Sequence, residues 1–557
     1  MQIRIWRTHM NTAELLVKCL ENEGVKVVFG IPGEENLAVM NALARSNIRF
    51  ITVRHEQGAA FMADVYGRLT GRAGVCLATL GPGATNLITG VADANSDGAP
   101  LVAITGQVST DKIHLTAHQF LDLTKMFEPV TKRTKLVMRP DSIAEITRLA
   151  FKYAEGEGKP GATHIDLPVD VSLQDVPEGE VPLHRAGPNP ETASLEHIEI
   201  AAGMIFRSQN PVILVGSDAV RENASEALTE MAETLHIPVV NTMMAKGMIP
   251  YTSPYSLWTV GIPQKDYANR VLENADLLIC VGYDIVEYAP QRINPTRKTP
   301  ILHINTMPAH INKYYQTACE VVGNISDSLH RITLRTHRKQ EPTAALAIRE
   351  QLIAEHESYA ADASFPMKPQ RVLIDVRKVM RPGDILLSDV GAHKMWIARH
   401  YNCYKPKTCL ISNGFATMGF SLPGALAAKL VSPDKRVLVV TGDGGLMMNS
   451  QELETAVREH LPFVILVFVD GGYGLIKWKG MDKFGETHYC DFTNPDLVAY
   501  AEAMHCKGYR IRTADELRPT LEDAFQQDVP ALIECPIDYA ENGKLTQHLK
   551  EVYAHLE

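Results

Sequence analysis

A chain of 557 residues is too long for one hydrophobic core and implies about three to four domains. Its 45% hydrophobic and 22% charged residues are ordinary for a soluble globular protein, and a formal net charge of −10 without any Lys/Arg run argues against a nucleic-acid surface. Nine scattered cysteines, odd in number and never spaced as CxxC, speak against a zinc site or disulfide frame and suggest reduced thiols in a cytoplasm.

The opening MQIRIWRTHM is basic but has no apolar core with a cleavage site, so it reads as a short extension and not a secretory signal. No segment is long and apolar enough to suggest a membrane span. From Thr12 onward helix and strand patterns alternate. AELLVKCLENEG predicts a helix closed by Gly24, VKVVFGIPG a strand running into a turn, and ENLAVMNALARS a second helix. RFITVRHE is a strand ending on charged residues, and QGAAFMADVYGRLTG is a helix of small residues. GVCLATLGPG and PLVAITGQ are further apolar strands with Gly-rich ends. This βαβ alternation predicts a parallel sheet with helices on both faces.

A Pro-rich polar stretch at about 182–195 reads as a linker. Alternation resumes with PVILVGSDA, IPVVNTM, ADLLICVGYD and TPILHIN, and a second polar linker follows at about 336–369. The last segment holds DILLSDVG, CLISNG, RVLVVTGDGG, FVILVFVDGG and PALIECPID. The predicted architecture is α/β, with three doubly wound parallel-sheet domains at 11–181, 196–335 and 370–557. The first and third share a strand–Gly–helix rhythm without an obvious repeat.

The chemistry concentrates in the last domain. The apolar run 437–440 delivers TGDGG with Asp443, and the run 463–469 delivers Asp470 and more glycines, 27 positions later. Two parallel strands joined by a helix would bring both acids to one sheet edge, where ligands of open parallel sheets bind. Two carboxylates, a backbone carbonyl and small residues suit Mg²⁺ holding phosphate oxygens, with N–H groups near Asn449 and Ser450, at the expected helix start, facing the phosphates. The alternative is a tight turn with solvated acids.

Elsewhere, Glu56 ends a strand and precedes small residues; it is either a proton-sharing acid drawn into an apolar environment, with a raised pKa, or a helix-start acid favoured by the dipole. TLGPGATNL offers close backbone approach to a ligand or simple chain reversal. HLTAHQFLD sets His114 and His118 at helical ligand spacing without a third ligand, so His118 and Gln119 either reach a substrate or lie on a surface helix. SDVGAHKMW brings Gly391 and His393 to a strand–helix junction, and Met418 sits in a later turn, as core filler or as support beneath a ligand.

In order along the chain, FGIPG, RHEQGAAFMADVYGRLTG, GVCLATLGPGATNLITGVADA, PLVAITGQV and TGDGG…QELETAV resemble the thiamine diphosphate-dependent decarboxylases and carboligases, and within them the acetolactate synthases, from about Asn11 to Tyr539. The resemblance implies a pyrimidine-binding, a central and a diphosphate-binding domain. It also implies a homodimer or homotetramer whose active sites lie at subunit interfaces. By the same resemblance Glu56 contacts the aminopyrimidine, Met418 bends the cofactor, and Asp443, Asp470 and the Gly472 carbonyl hold Mg²⁺. Gly33, Thr79, Gly391, His393, Gly442, Gly444, Gly445 and Tyr473 match further cofactor positions, and His118 and Gln119 lie near substrate. The implied reaction decarboxylates pyruvate and transfers the two-carbon unit to a second small 2-oxo acid.

Several positions depart from the family pattern. GYDIVEY (282–288) stands where flavin-binding relatives carry an RFDDR-like string, and Lys159 stands where they carry Arg. Both favour the catabolic branch, which lacks FAD. Asp470 stands where many relatives have Asn, as it does in that branch. Val169, Ala392 and GLIKWKGMDKFG also differ, which leaves the acceptor open. The alternatives are a decarboxylase or lyase with another acceptor and a non-catalytic paralogue. No membrane or nucleic-acid partner is implied, and no regulatory subunit is assigned.

Overall fold

The computed structural model describes residues 10–156, 158–187, 191–261, 267–337 and 340–545. The first sheet contains β1 (Val27–Gly30), β2 (Arg49–Thr52), β3 (Gly74–Ala78), β4 (Leu101–Gln107), β5 (Arg133–Leu136) and β6 (Ala162–Pro168) in the order 2-1-3-4-6-5. The second contains β7 (Pro211–Val215), β8 (Val239–Asn241), β9 (Ser256–Thr259), β10 (Leu277–Val281), β11 (Ile301–Asn305) and β12 (Thr317–Val322), ordered 9-8-7-10-11-12. The third contains β13 (Ile385–Ser388), β14 (Cys409–Ile411), β15 (Val437–Gly442), β16 (Val464–Val469), β17 (Lys507–Arg510) and β18 (Ala531–Pro536), ordered 14-13-15-16-18-17. The ladders in these sheets are parallel. The first and third sheets thus share one topology, giving a structural basis to the rhythm read in their sequences.

Central strands are covered on both faces. Every residue of β3, β4, β6 and β10 is buried, whereas the edge strand β5 is half-exposed throughout. That is why β3, β4 and β10 read as largely apolar runs rather than alternating patterns.

The described chain forms two compact units. One comprises the described residues up to 187 with Leu422–Val431 and Asn449–Glu459; the other comprises the remaining described residues. In the first unit, helix Glu56–Thr70 packs closely on helix Pro82–Asp97: a Cβ on Gly90 would meet the Ala60 Cβ at 2.5 Å. Arg68, its side chain 9% exposed, pairs with Asp64 of its own helix (2.6 Å) and with Asp93 (3.1 Å) and Asp97 (3.0 Å) of the other, which fixes the helices in register. In the second unit the expected linker 336–369 contains a 16-residue helix, Thr343–Ser358. Its Ala345, Ile348 and Leu352 join the core around Trp258, Tyr267 and Tyr288. The polar side chains between those apolar positions disguised a packed element as a linker.

The nine cysteines are buried and form no disulfide. Among the described residues no helix is long and apolar enough to cross a membrane.

Candidate functional site

At the carboxyl edge of the third sheet, residues following β13, β15 and β16 line a cavity with ≈ 520 Å³ of empty space. Asp443, Asp470, Gly472, Tyr473, Gly391, His393, Met418, Gly442, Gly444 and Gly445 all contribute to its wall, so ten of the anticipated positions converge. β15 and β16 pair in parallel over Leu438–Val464 to Gly442–Phe468, which delivers the two acids side by side.

The helix after TGDGG begins at Asp443 and runs to Asn449; a second helix starts at Glu452. The expected helix start at Asn449 and Ser450 is therefore wrong, and the first-turn amides belong to the DGG segment itself. Gly-Gly reads as a turn because glycine is a poor helix former, but here the glycines allow close packing. A Cβ on Gly444 would meet Tyr473 Cε1 at 2.9 Å, and one on Gly445 would meet Asp389 Oδ2 at 2.9 Å.

Asp443 is buried, and its carboxylate accepts from the backbone N–H groups of Gly444 (2.9 Å) and Gly471 (2.8 Å) and from Asn494 Nδ2 (2.7 Å). Burial, then the neighbouring charge of Asp443, pushes the Asp470 carboxyl up to about 7, with Lys477 acting in the opposite direction. Two acids that repel in this way favour a cation between them. The Gly472 carbonyl accepts from Gly474 N at 3.1 Å. Among the described residues no three His, Cys, Asp or Glu side chains gather into a metal cage. An ion here would keep several non-protein oxygen ligands, as Mg²⁺ does.

Asp389, unremarked in the sequence, ties the site together. It is buried, accepts from Val390 N (2.8 Å), Gly419 N (2.9 Å) and Thr441 Oγ1 (3.2 Å), and burial raises it to about 6. It thereby clamps the Met418 turn to the ends of β13 and β15. Its signal was available: like Asp443 and Asp470, it is an acid at the end of an apolar strand. Replacing Asp389 with alanine strands these donors in a buried place, and we expect a loss of roughly 3 kcal/mol of unfolding free energy in urea titrations. Asp389→Asn, which keeps one acceptor oxygen, is expected to lose less.

His393, on helix Ala392–His400, is buried, with its Nε2 unpartnered; burial lowers its pKa to about 4. A diphosphate beside it would favour the protonated ring, in which both nitrogens donate. With the close glycines and paired acids, these residues fit a metal-bound diphosphate. Tyr539, also missed in the sequence, is partly buried and completes the wall.

The remaining candidates belong to the first unit. Glu56 is the first residue of helix Glu56–Thr70, 8% exposed, and its Oε2 accepts from Asn86 Nδ2 at 3.0 Å. Thr79 Oγ1 donates to Glu35 Oε2 (2.6 Å), and a Cβ on Gly33 would meet Thr79 Cβ at 2.5 Å, so Gly33 and Thr79 pack against each other. Gly81 has φ +53° as it turns the chain into helix Pro82–Asp97. His114, His118 and Gln119 lie exposed on a run of turns between β4 and Leu123, not on the helix considered from their spacing. Gln119 has φ +56°, which breaks any helical register. The four-residue spacing of the histidines therefore has no ligand meaning.

Family models match in three successive segments. Thiamine pyrophosphate enzyme, N-terminal TPP binding domain, covers residues 10–129; the central domain covers 198–332; and the C-terminal TPP binding domain covers 389–535. The chain is 37% identical over 544 residues to a catabolic acetolactate synthase of Raoultella terrigena (96% of this chain, 97% of that protein). It is 35% identical over 539 residues to acetolactate synthase of Bacillus subtilis (96% and 94%). It is 36% identical over 576 residues to a probable acetolactate synthase large subunit of Methanocaldococcus jannaschii (98% and 96%).

Proposed function

Because the chain belongs to the thiamine pyrophosphate enzymes, in the acetolactate synthase family, we propose that it decarboxylates pyruvate and joins the two-carbon unit to a second 2-oxo acid. The observation that carries this reading is the cavity at the third sheet's edge, where two adjacent acids and a glycine-lined wall suit a metal-bound diphosphate. We assign 11–181, 196–335 and 370–557 as pyrimidine-binding, central and diphosphate-binding domains.

Bound thiamine diphosphate supplies the electron sink for decarboxylation. The protein's part is to hold, orient and exclude water. Asp443, Asp470 and the Gly472 carbonyl would hold Mg²⁺. Gly391, His393, Gly442, Gly444, Gly445 and Tyr473 would face the diphosphate, and Met418, in the turn held by Asp389, would support the ring system. Gly33 and Thr79 shape the pyrimidine side. Glu56, fixed by Asn86, passes a proton to and from the pyrimidine nitrogen. His118 and Gln119 approach substrate from their loop.

The active assembly is a homodimer or homotetramer, in which one copy's Glu56 completes another copy's diphosphate site. Supporting this, helix Gly474–Phe484 beside the cavity has no buried residue and exposes Ile476 (56%), Met481 (55%) and Phe484 (70%). An apolar face of this kind marks an interaction site. The compartment is cytoplasmic.

The central domain takes no FAD. Its strand order reverses between β7 and β10, the place where such sheets receive dinucleotides. There the half-buried Glu287 Oε1 accepts from Ser217 N (2.8 Å) and Oγ (2.9 Å), and Oε2 accepts from Thr242 Oγ1 (2.5 Å). An internal carboxylate thus occupies the amide that a cofactor phosphate would need.

Purified protein given pyruvate, Mg²⁺ and thiamine diphosphate should form acetolactate, and added FAD should leave the rate unchanged. Failure to consume pyruvate while the cofactor binds would overturn the substrate assignment, and a strict flavin requirement would overturn the role of Glu287.

A further inference from the structure

Glu452 reads as an ordinary acid on the QELETAV helix, yet it is fully buried in the first unit, where burial pushes its carboxyl up to about 7. Oε1 accepts from two successive backbone N–H groups, those of Arg54 and His55, each at 3.0 Å. Oε2 accepts from Thr455 Oγ1 at 2.7 Å. Arg54 and His55 are the last residues before Glu56, and His55 caps the helix that Glu56 opens, its Nδ1 accepting from Gln57 N at 3.1 Å. Gly58, one turn further on, leaves room for the arrangement: a Cβ there would meet Glu452 Oε1 at 2.8 Å and Cδ at 3.0 Å. Asn449 Nδ2 adds a bond to Gln57 Oε1 at 3.2 Å.

Backbone amides between a strand end and a helix start have no ladder partner, and an inaccessible junction needs an acceptor from elsewhere. Glu452 supplies it at the junction that aims the Glu56 side chain. We propose that Glu452 is a positioning residue for Glu56, fixing the strand-to-helix junction so that the Glu56 carboxyl meets the cofactor's pyrimidine nitrogen in reacting geometry. This rests on the proposed role of Glu56. A misplacement of about 1 Å at a reacting group costs on the order of 100-fold in rate.

The test follows exchange of the C2 proton of bound thiamine diphosphate for deuterium in the Mg²⁺-loaded holoenzyme, alongside the cofactor Kd and the melting temperature. Glu452→Ala is expected to slow exchange roughly 10- to 100-fold, with Kd within about threefold of the parent. Glu452→Gln keeps an oxygen that accepts from both amides and should restore exchange to within about threefold of the parent. Gly58→Ala, which favours the helix but displaces Oε1, should slow exchange as Glu452→Ala does, and it decides the matter if Glu452→Ala fails to fold. Parent-like exchange in folded Glu452→Ala or Gly58→Ala overturns the proposal. Glu56→Gln separates the two levels: if it slows exchange while these variants do not, only the Glu452 role falls. If it too leaves exchange unchanged, the reading of Glu56 falls and this inference with it.

Discussion

Asp443→Ala is expected to weaken Mg²⁺-dependent binding of thiamine diphosphate by at least about 100-fold, roughly 3 kcal/mol. The carboxylate does two things that no neighbour can take over. It accepts from Gly444 N, Gly471 N and Asn494 Nδ2, which joins the loops after β15 and β16, and it provides the buried negative charge of the pair with Asp470. Removing it leaves three donors unmet and one carboxylate to hold the metal. Asp443→Asn separates the two contributions, because its one amide oxygen still accepts from Gly471 N and Asn494 Nδ2, which share a carboxylate oxygen, while the acceptor for Gly444 N and the charge are gone. The asparagine variant should melt closer to the parent than Asp443→Ala does, yet bind cofactor poorly. Calorimetric titration with and without Mg²⁺ measures this, and parent-like affinity in Asp443→Ala would remove the metal assignment.

Glu56→Gln is expected to lower kcat about 100- to 1,000-fold, the usual scale for losing a positioned proton-transfer group. Cofactor affinity should stay within a few-fold of the parent. A glutamine oxygen can still accept from Asn86 Nδ2, so the helix start and its packing are preserved while the proton-carrying group is lost. Steady-state rates at saturating cofactor, paired with the titration above, check it, and unchanged turnover would rule out a proton-transfer role.

The strands legible in the sequence were chiefly those whose residues are buried and apolar. β6 was missed although it is wholly buried, because its Thr163, His164 and Asp166 break the apolar run. They are satisfied internally: Thr105 Oγ1 lies 2.8 Å from His164 Nε2 and donates to Asp166 Oδ1 at 2.7 Å. No local pattern announces a partner on a neighbouring strand. β5 (RTKL) and β17 (KGYR) were missed for a different reason, since edge strands are half-exposed and carry no apolar signature. At the site, Asp443 and Asp470 were legible because strand-end acids followed by glycines have a local grammar. Asn494 reaches Asp443 from a loop 51 residues later, and Glu452 meets amides some 400 positions away, at |i−j| of 398 and 397. Such pairings exist only once the chain is folded. The histidine spacing in HLTAHQFLD erred the other way, since a local period was available but tertiary context placed the segment in turns.

The most direct test of the whole account is the carbon balance of the purified enzyme on pyruvate alone, with Mg²⁺ and thiamine diphosphate and without flavin. One carbon dioxide and one acetolactate are expected for every two pyruvates consumed, with both products formed about 100- to 1,000-fold more slowly in Glu56→Gln. One carbon dioxide and one acetaldehyde per pyruvate would contradict the account, because the two-carbon unit would then be leaving on a proton and not on a second 2-oxo acid.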